Sequence, residues 1–306
     1  MKMLNTLKII WKKIYQVKYY ILLFVVIFFL FLKVYFPGEK IARLILGSVA
    51  KQTGVIIIPE EPTMSFFPSA GIKFNSAKVK IQNFPYGISL GDTSIGFSLL
   101  SLLVASPAIN INSDSFQGNV RVKISGIPLN SSKKIDELYI KLSANGIQLK
   151  DFLKTVLPVD IESKADVVLD GVINMVNPVY SDMNINVELN GVRIKEANLM
   201  GFNVPAVNLK KGSFIAVFTK NEVSITKLNI GGSSDELDLS AKGKVSMKLN
   251  NPYDITVRLK LSGNLEKQFG SFLTFLPPET KKPDGAYNFR VKGDSKMPMP
   301  QITPAP

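Results

Sequence analysis

DITVRLKLS, residues Asp254 to Ser262, decides how this chain reads: Ile255, Val257, Leu259 and Leu261 alternate with Asp254, Thr256, Arg258 and Lys260. Successive side chains of an extended strand point to opposite faces, so this run buries one side and wets the other. Outward from it, the same period of two returns at Val120, Val122 and Ile124 against Arg121, Lys123 and Ser125. It returns at Leu138, Ile140 and Leu142, at Ile185, Val187 and Leu189, at Leu237, Leu239 and Ala241, and at Val245, Met247 and Leu249. Asn145-Gly146, Asn190-Gly191 and Gly231-Gly232 stand between runs and are predicted to be tight connections, because positive φ costs little there. Near Lys227 the phase slips between Ile225 and Leu228, which predicts a bulge. Residues 55–296 are therefore expected to form a mainly β, antiparallel sheet domain with one wet face.

Such a sheet must shelter its apolar side, where each buried aliphatic contributes about 1.5–3 kcal/mol. Helices are too few to do it. One candidate is EKIARLILGSVAKQTG within 37–54, where Ile41, Leu44, Ile45 and Val49 recur at helical spacing before Gly54. That short amphipathic helix would lie on a membrane surface or cap the next domain. The other two are Leu149 to Leu157 and Leu265 to Leu276. Two architectures remain open: a sandwich, or a strongly bent sheet closing over a groove that a hydrophobic guest could fill. LKDFLKTVLP (149–158) and FGSFLTFLP (269–277), followed by ADVVLDG and AYNFRVKG, hint at an internal repeat over 149–171 and 265–293. The tail 297–306, MPMPQITPAP, has four prolines and is expected to be an extended or disordered end.

Upstream of the sheet, residues 19–36 read YYILLFVVIFFLFLKVYF, with Lys33 the single charge. At about 1.5 Å per residue this helix covers roughly 27 Å, close to the hydrocarbon thickness of a bilayer. Tyr19, Leu22, Leu23, Phe24, Val25, Val26, Ile27, Phe28, Phe29, Leu30, Phe31 and Leu32 leave no polar face for water, so a membrane anchor is expected. A cleaved signal peptide would end in a small-x-small site, whereas Lys33-Val34-Tyr35-Phe36-Pro37 is bulky throughout. Lys2, Lys8, Lys12, Lys13 and Lys18 in the basic segment 1–18 place the N-terminus in the cytoplasm and everything after Pro37 across the membrane.

Composition narrows the function. The 306 residues hold 37 basic and 24 acidic side chains, net +13, and the first forty residues supply seven lysines against Glu39. The remaining surplus is thin, and five arginines in the whole chain are too few for a nucleic-acid groove, so no nucleic-acid partner is expected. No cysteine and no histidine occur, which removes disulfides, thiolate nucleophiles, imidazole bases and the usual transition-metal ligands. Neither GxGxxG nor a P-loop is present, and Gly91-Asp-Thr-Ser-Ile-Gly96 lacks nucleophile-elbow spacing. Asp160, Glu162, Asp166 and Asp170 make an acidic patch with oxygen-ligand chemistry, but Asp166 and Asp170 share the wet face of a strand, where solvation is the simpler role. Asp235, Glu236 and Asp238 read as a polar turn entering a strand. No catalytic, cofactor-binding or metal-binding residue is assigned, no cofactor is expected, and the chain is read as a non-enzyme.

The order of these parts resembles the type II secretion system protein N (GspN-like) family, itself similar to AsmA-like proteins. The resemblance rests on FFPSAGIKFNSAKV (66–79), with Phe67, Pro68, Gly71, Ile72 and Phe74 matching the family's phenylalanine-proline turn and Gly-aliphatic-x-Phe step. It extends through Leu209 to Gly263 and the closing FLPPETKKPDGAYNFRVKGDSKMPMPQ, while residues 100–135 match nothing in it. It implies a single-pass bacterial inner-membrane protein with its bulk in the periplasm, an accessory structural part of the type II protein secretion machine that contacts the lipid bilayer and other secretion-system proteins. The AsmA-like connection implies the alternative, a lipid-binding or lipid-transfer module with lipid held in an apolar sheet groove. Neither brings catalytic residues.

Overall fold

The computed structural model describes residues 55–65, 69–81, 88–98, 108–126, 136–150, 160–177, 181–199, 202–247, 250–294, 296 and 299–305, with isolated helical positions between 19 and 50. Of the anchor stretch, Tyr19, Tyr20, Leu23, Phe24, Val26, Ile27 and Phe31 are helical and exposed. Leu22, Val25, Phe28, Phe29, Leu30 and Leu32 lie outside the described residues, as do Phe67, Pro68 and 151–157 of the expected second helix. Among the described residues no helix is long and apolar enough to cross a membrane.

The body is β, as the alternation predicts. Its strands are β1 (Val55–Glu60), β2 (Thr63–Ser65), β3 (Ser69–Phe74), β4 (Ser76–Ile81), β5 (Ile88–Leu90), β6 (Thr93–Ser98), β7 (Ala108–Ser115), β8 (Gly118–Ser125), β9 (Glu137–Gln148) and β10 (Ile161–Asn174). They continue with β11 (Asp182–Ile194), β12 (Ala197–Leu199), β13 (Phe202–Val204), β14 (Val207–Thr219), β15 (Glu222–Gly231), β16 (Leu237–Ser246), β17 (Tyr253–Leu261), β18 (Tyr287–Gly293) and β19 (Gln301–Pro304). Two short helices, α1 (Gly263–Gln268) and α2 (Gly270–Leu273), follow β17 where the third helix is expected. Fourteen strands form one antiparallel sheet in the order β19-β18-β17-β16-β15-β14-β11-β10-β9-β8-β7-β6-β3-β2, about 60 Å across at about 4.8 Å per strand. β1, β4 and β5 make a separate three-stranded sheet and β12–β13 a small hairpin.

Three expectations are altered or narrowed. Asn145-Gly146 and Asn190-Gly191 are not connections but lie inside β9 and β11, where Gly146 and Gly191 adopt φ +65°. Register shifts there, between Ala165 and Val167 and between Glu162 and Lys164 of β10, make them bulges; positive φ serves a bulge as well as a turn. The Asp166 carboxylate supports the first, accepting the Gly146 N–H at 2.7 Å. The second is narrowed, since the tail takes its extended alternative: β19 pairs with β18, and proline is tolerated because this is the sheet's edge. Third, β16 ends at Ser246, and Met247 is 53% exposed instead of inward. The predicted bulge at Lys227 is present, between Ile225 and Leu228, and Gly231-Gly232 does open a connection, with φ +76° at Gly231.

Gly71 and Phe74 of the family-like segment both fall in β3. Gly71 sits opposite Gly96 of β6, and a Cβ there would stand 2.1 Å from the Ile95 carbonyl oxygen and 2.4 Å from the Gly96 Cα. Because those atoms are backbone, Gly71→Ala must push β3 from β6; we expect a loss of about 1–3 kcal/mol, read as a lowered thermal midpoint. An unchanged midpoint would mean that β3 and β6 are not closely packed at Gly71.

Candidate functional site

Directly paired residues of an antiparallel sheet share a face, so the register sorts every strand. The side defined by Ile255, Val257 and Leu259 continues through Leu239 and Ala241 of β16, Ile225 and Leu228 of β15, and Phe214 and Ala216 of β14. It runs on through Ile185 and Val187, Val167 and Leu169, Leu142 and Ala144, Val120 and Val122, Ile111, Ile95 and Ile72. No paired position on this side, from Met64 of β2 to Ile302 of β19, carries Asp, Glu, Lys or Arg. The charges line up behind it: Lys73, Arg121, Lys123, Lys141, Asp170, Glu188, Lys244, Asp254, Arg258 and Arg290 all take the opposite face.

Among the described residues this apolar side is covered at two places. At one end of the strand order, Ile57, Ala77 and Leu90 of the three-stranded sheet, together with Leu46, pack on Ile72, Phe74, Met64 and Ile95. Phe74 and Ile72 of the family-like segment are thus core residues, 3% and 4% exposed. The second cover is α1. Its Leu265, with Phe269, closes over Leu189, Val192, Val207, Leu209, Ile230, Leu237 and Leu261, where β10, β14 and β16 begin and β11, β15 and β17 end.

A polar tie holds α1 down. Glu266 accepts a hydrogen bond from the Lys281 ammonium at 2.6 Å and another from the Tyr287 hydroxyl at 2.7 Å. Lys281, then Tyr287, hold the Glu266 carboxyl below the usual glutamate range, so the tie is intact at neutral pH. Elsewhere Leu142, Val167, Val187, Phe214, Ile225 and Leu239 stay half-buried. A second sheet about 10 Å away would bury them fully, so this is one sheet and not a sandwich. The fully buried apolar positions among them are the small Ala144, Ala165, Ala216 and Ala241.

The acidic patch is spent on lysines. Lys150 and Lys195 reach Glu162 at 2.8 and 2.9 Å, and Lys195 also reaches Asp160 at 3.2 Å. Hydrogen bonds from Lys150 and then Lys195 hold Glu162 at a pKa of about 2. Asp166 serves its bulge, and Asp170 faces solvent opposite Lys141 and Asn184. Among the described residues no group of acids is placed to hold a metal ion. The Gly91–Gly96 segment is a turn and strand: Thr93, Ser113 and Ser115 form a buried hydroxyl chain, with Thr93 donating to the Gly91 carbonyl at 2.8 Å and Gly91 N–H donating to Ser115 at 3.0 Å. The alternation carried the face, but its continuity across fourteen strands needed the register.

These features define a class: an open antiparallel meander with one uncharged face that the described residues cover only in part. Comparison with family models, with curated proteins and with solved structures gives no match.

Proposed function

We propose that the apolar face holds hydrocarbon chains, and that the protein is a membrane-tethered lipid-binding or lipid-transfer module. The observation that supports this reading is the uncharged, half-exposed surface shared by paired residues of β6 to β18. Burying a methylene there gains about 0.8 kcal/mol over leaving it in water, whereas exchange with a bilayer is nearly neutral. That balance suits a carrier, which must both take and release its cargo. The tether is the stretch Tyr19 to Leu32, which leaves the N-terminus in the cytoplasm and the sheet across the membrane, in the periplasm if the cell has one.

The runner-up is the accessory secretion role that the resemblance implies, favoured by the block Leu209 to Gly263, which forms β14 to β17. Docking through sheet edges is not favoured, since both edge strands of the large sheet are short and β19 ends in proline. The test is to load the full chain with a phospholipid carrying a photoreactive acyl chain and map the adducts. Adducts at Leu142, Val187 and Phe214 are the expected result; adducts confined to Tyr19 through Leu32 would overturn the reading. Loss of protein export on deletion, with membrane lipids unchanged, would favour the secretion role.

A further inference from the structure

Strands of a meander alternate in direction, so every second connection lies at the same end of the sheet. At the end covered by α1, the connections include Gly232–Glu236, which reads GSSDE, with Gly91-Asp92 and Phe116-Gln117 at the corresponding ends of their strands. The opposite end is of another character. Met175 and Val176, just past β10, are 50% and 73% exposed; Met247, just past β16, is 53% exposed; Met299, between β18 and β19, is 79% exposed.

Single exposed apolar residues are ordinary, but gathering on one end of one sheet is not. Inward from these tips runs a paired row of the apolar face: Met183 opposite Phe218, Phe218 opposite Val223, Val223 opposite Val245, and Val245 opposite Tyr253. Along this row no charge interrupts the apolar face at the strand ends nearest the tips. An acyl chain entering here avoids water, whereas at the other end it meets α1.

We infer that this end docks on a bilayer surface and is the mouth through which acyl chains reach the apolar face; the inference rests on the hydrocarbon-binding reading above. A bilayer fits better than a protein partner because the tips are flexible methionines and a valine on separate hairpins, and because the apolar stretch Tyr19 to Leu32 would hold the chain beside a membrane at high effective concentration. Charges of both signs stand at the same end, Lys220 between β14 and β15 and the acids Glu137 and Asp182 at the starts of β9 and β11, so the apolar tips carry the contact.

The chain has no cysteine, so single labels are clean. The full chain in amphipol, with Val176→Cys or Met247→Cys carrying an environment-sensitive dye, should shift to the blue when phosphatidylethanolamine–phosphatidylglycerol vesicles are added. A dye at Phe275→Cys, which lies in the connection that carries α1 and is 67% exposed, should not. The double variant Val176→Asp/Met247→Asp should load a fluorescent phospholipid from vesicles at least tenfold more slowly than the unmodified chain, yet load equally from detergent micelles. Unshifted dyes at 176 and 247, or vesicle loading at the unmodified rate, overturn the docking surface while micelle loading keeps the binding reading. No loading of the unmodified chain from micelles sinks the binding reading itself, and the mouth with it.

Discussion

If Tyr19 to Leu32 is the tether proposed above, Leu23→Asp combined with Phe28→Asp should release the protein from the membrane. Each carboxylate placed near the middle of a spanning helix costs about 2.5–3.5 kcal/mol on insertion scales, so the pair removes about 5–7 kcal/mol from a segment with no compensating polar partner in its sequence. Leu23 is helical and 56% exposed, as are its neighbours Phe24 at 68% and Ile27 at 55%, so these side chains present their surface outward and not to a protein core. A buried core helix would tolerate one such change by local rearrangement at the cost of stability; a bilayer-embedded one fails to insert. Carbonate-washed membranes should therefore retain the unmodified chain and lose the double variant to the soluble fraction. Undiminished retention would mean that Tyr19 to Leu32 is not what holds this protein to lipid.

Leu265→Asp should cost at least about 3 kcal/mol and loosen the packing of α1 on the sheet. The side chain is 2% exposed and closes over Val192, Val207 and Leu209. An ionised carboxylate there has no cation within the cluster, and an apolar contact is lost as well. Glu266 next to it keeps its tie to Lys281 and Tyr287, so the damage should be confined to the packing of α1 and not to the connection as a whole. Hydrogen exchange should accelerate in Gly263–Gln268 and at the start of β14, and an apolar dye should bind more strongly. Leu265→Met, which conserves volume, should restore both readings to within experimental scatter. Unaltered protection in the aspartate variant would show that α1 contributes nothing to covering the face.

Much of the architecture was legible because strand alternation is local. Ile255, Val257, Leu259 and Leu261 select their side whatever they pair with, and the slip at Lys227 marks a bulge from the residues alone. The acidic patch was legible to the same extent: Asp166 and Asp170 read as wet-face residues, and the register puts them there. Glycine was less informative. Asn145-Gly146 and Asn190-Gly191 signal positive φ, but only the strands continuing on either side make them bulges, while the true two-residue turns at Phe116-Gln117 and Lys220-Asn221 adopt positive φ with no glycine at all.

By itself, then, the sequence determined the period, the chemistry excluded by the lack of histidine and cysteine, and an apolar stretch of bilayer length before the sheet. It left sandwich and single sheet equally open, because both bury the same alternate residues and differ only in what lies opposite them. Tertiary structure decided that point: one fourteen-stranded order, a three-stranded cover at one place, α1 at another, and half-buried aliphatics between. Pairing is a long-range property, set by which strands meet and not by any residue's own preference, and for that reason a continuous uncharged face emerges only when all the registers are laid side by side.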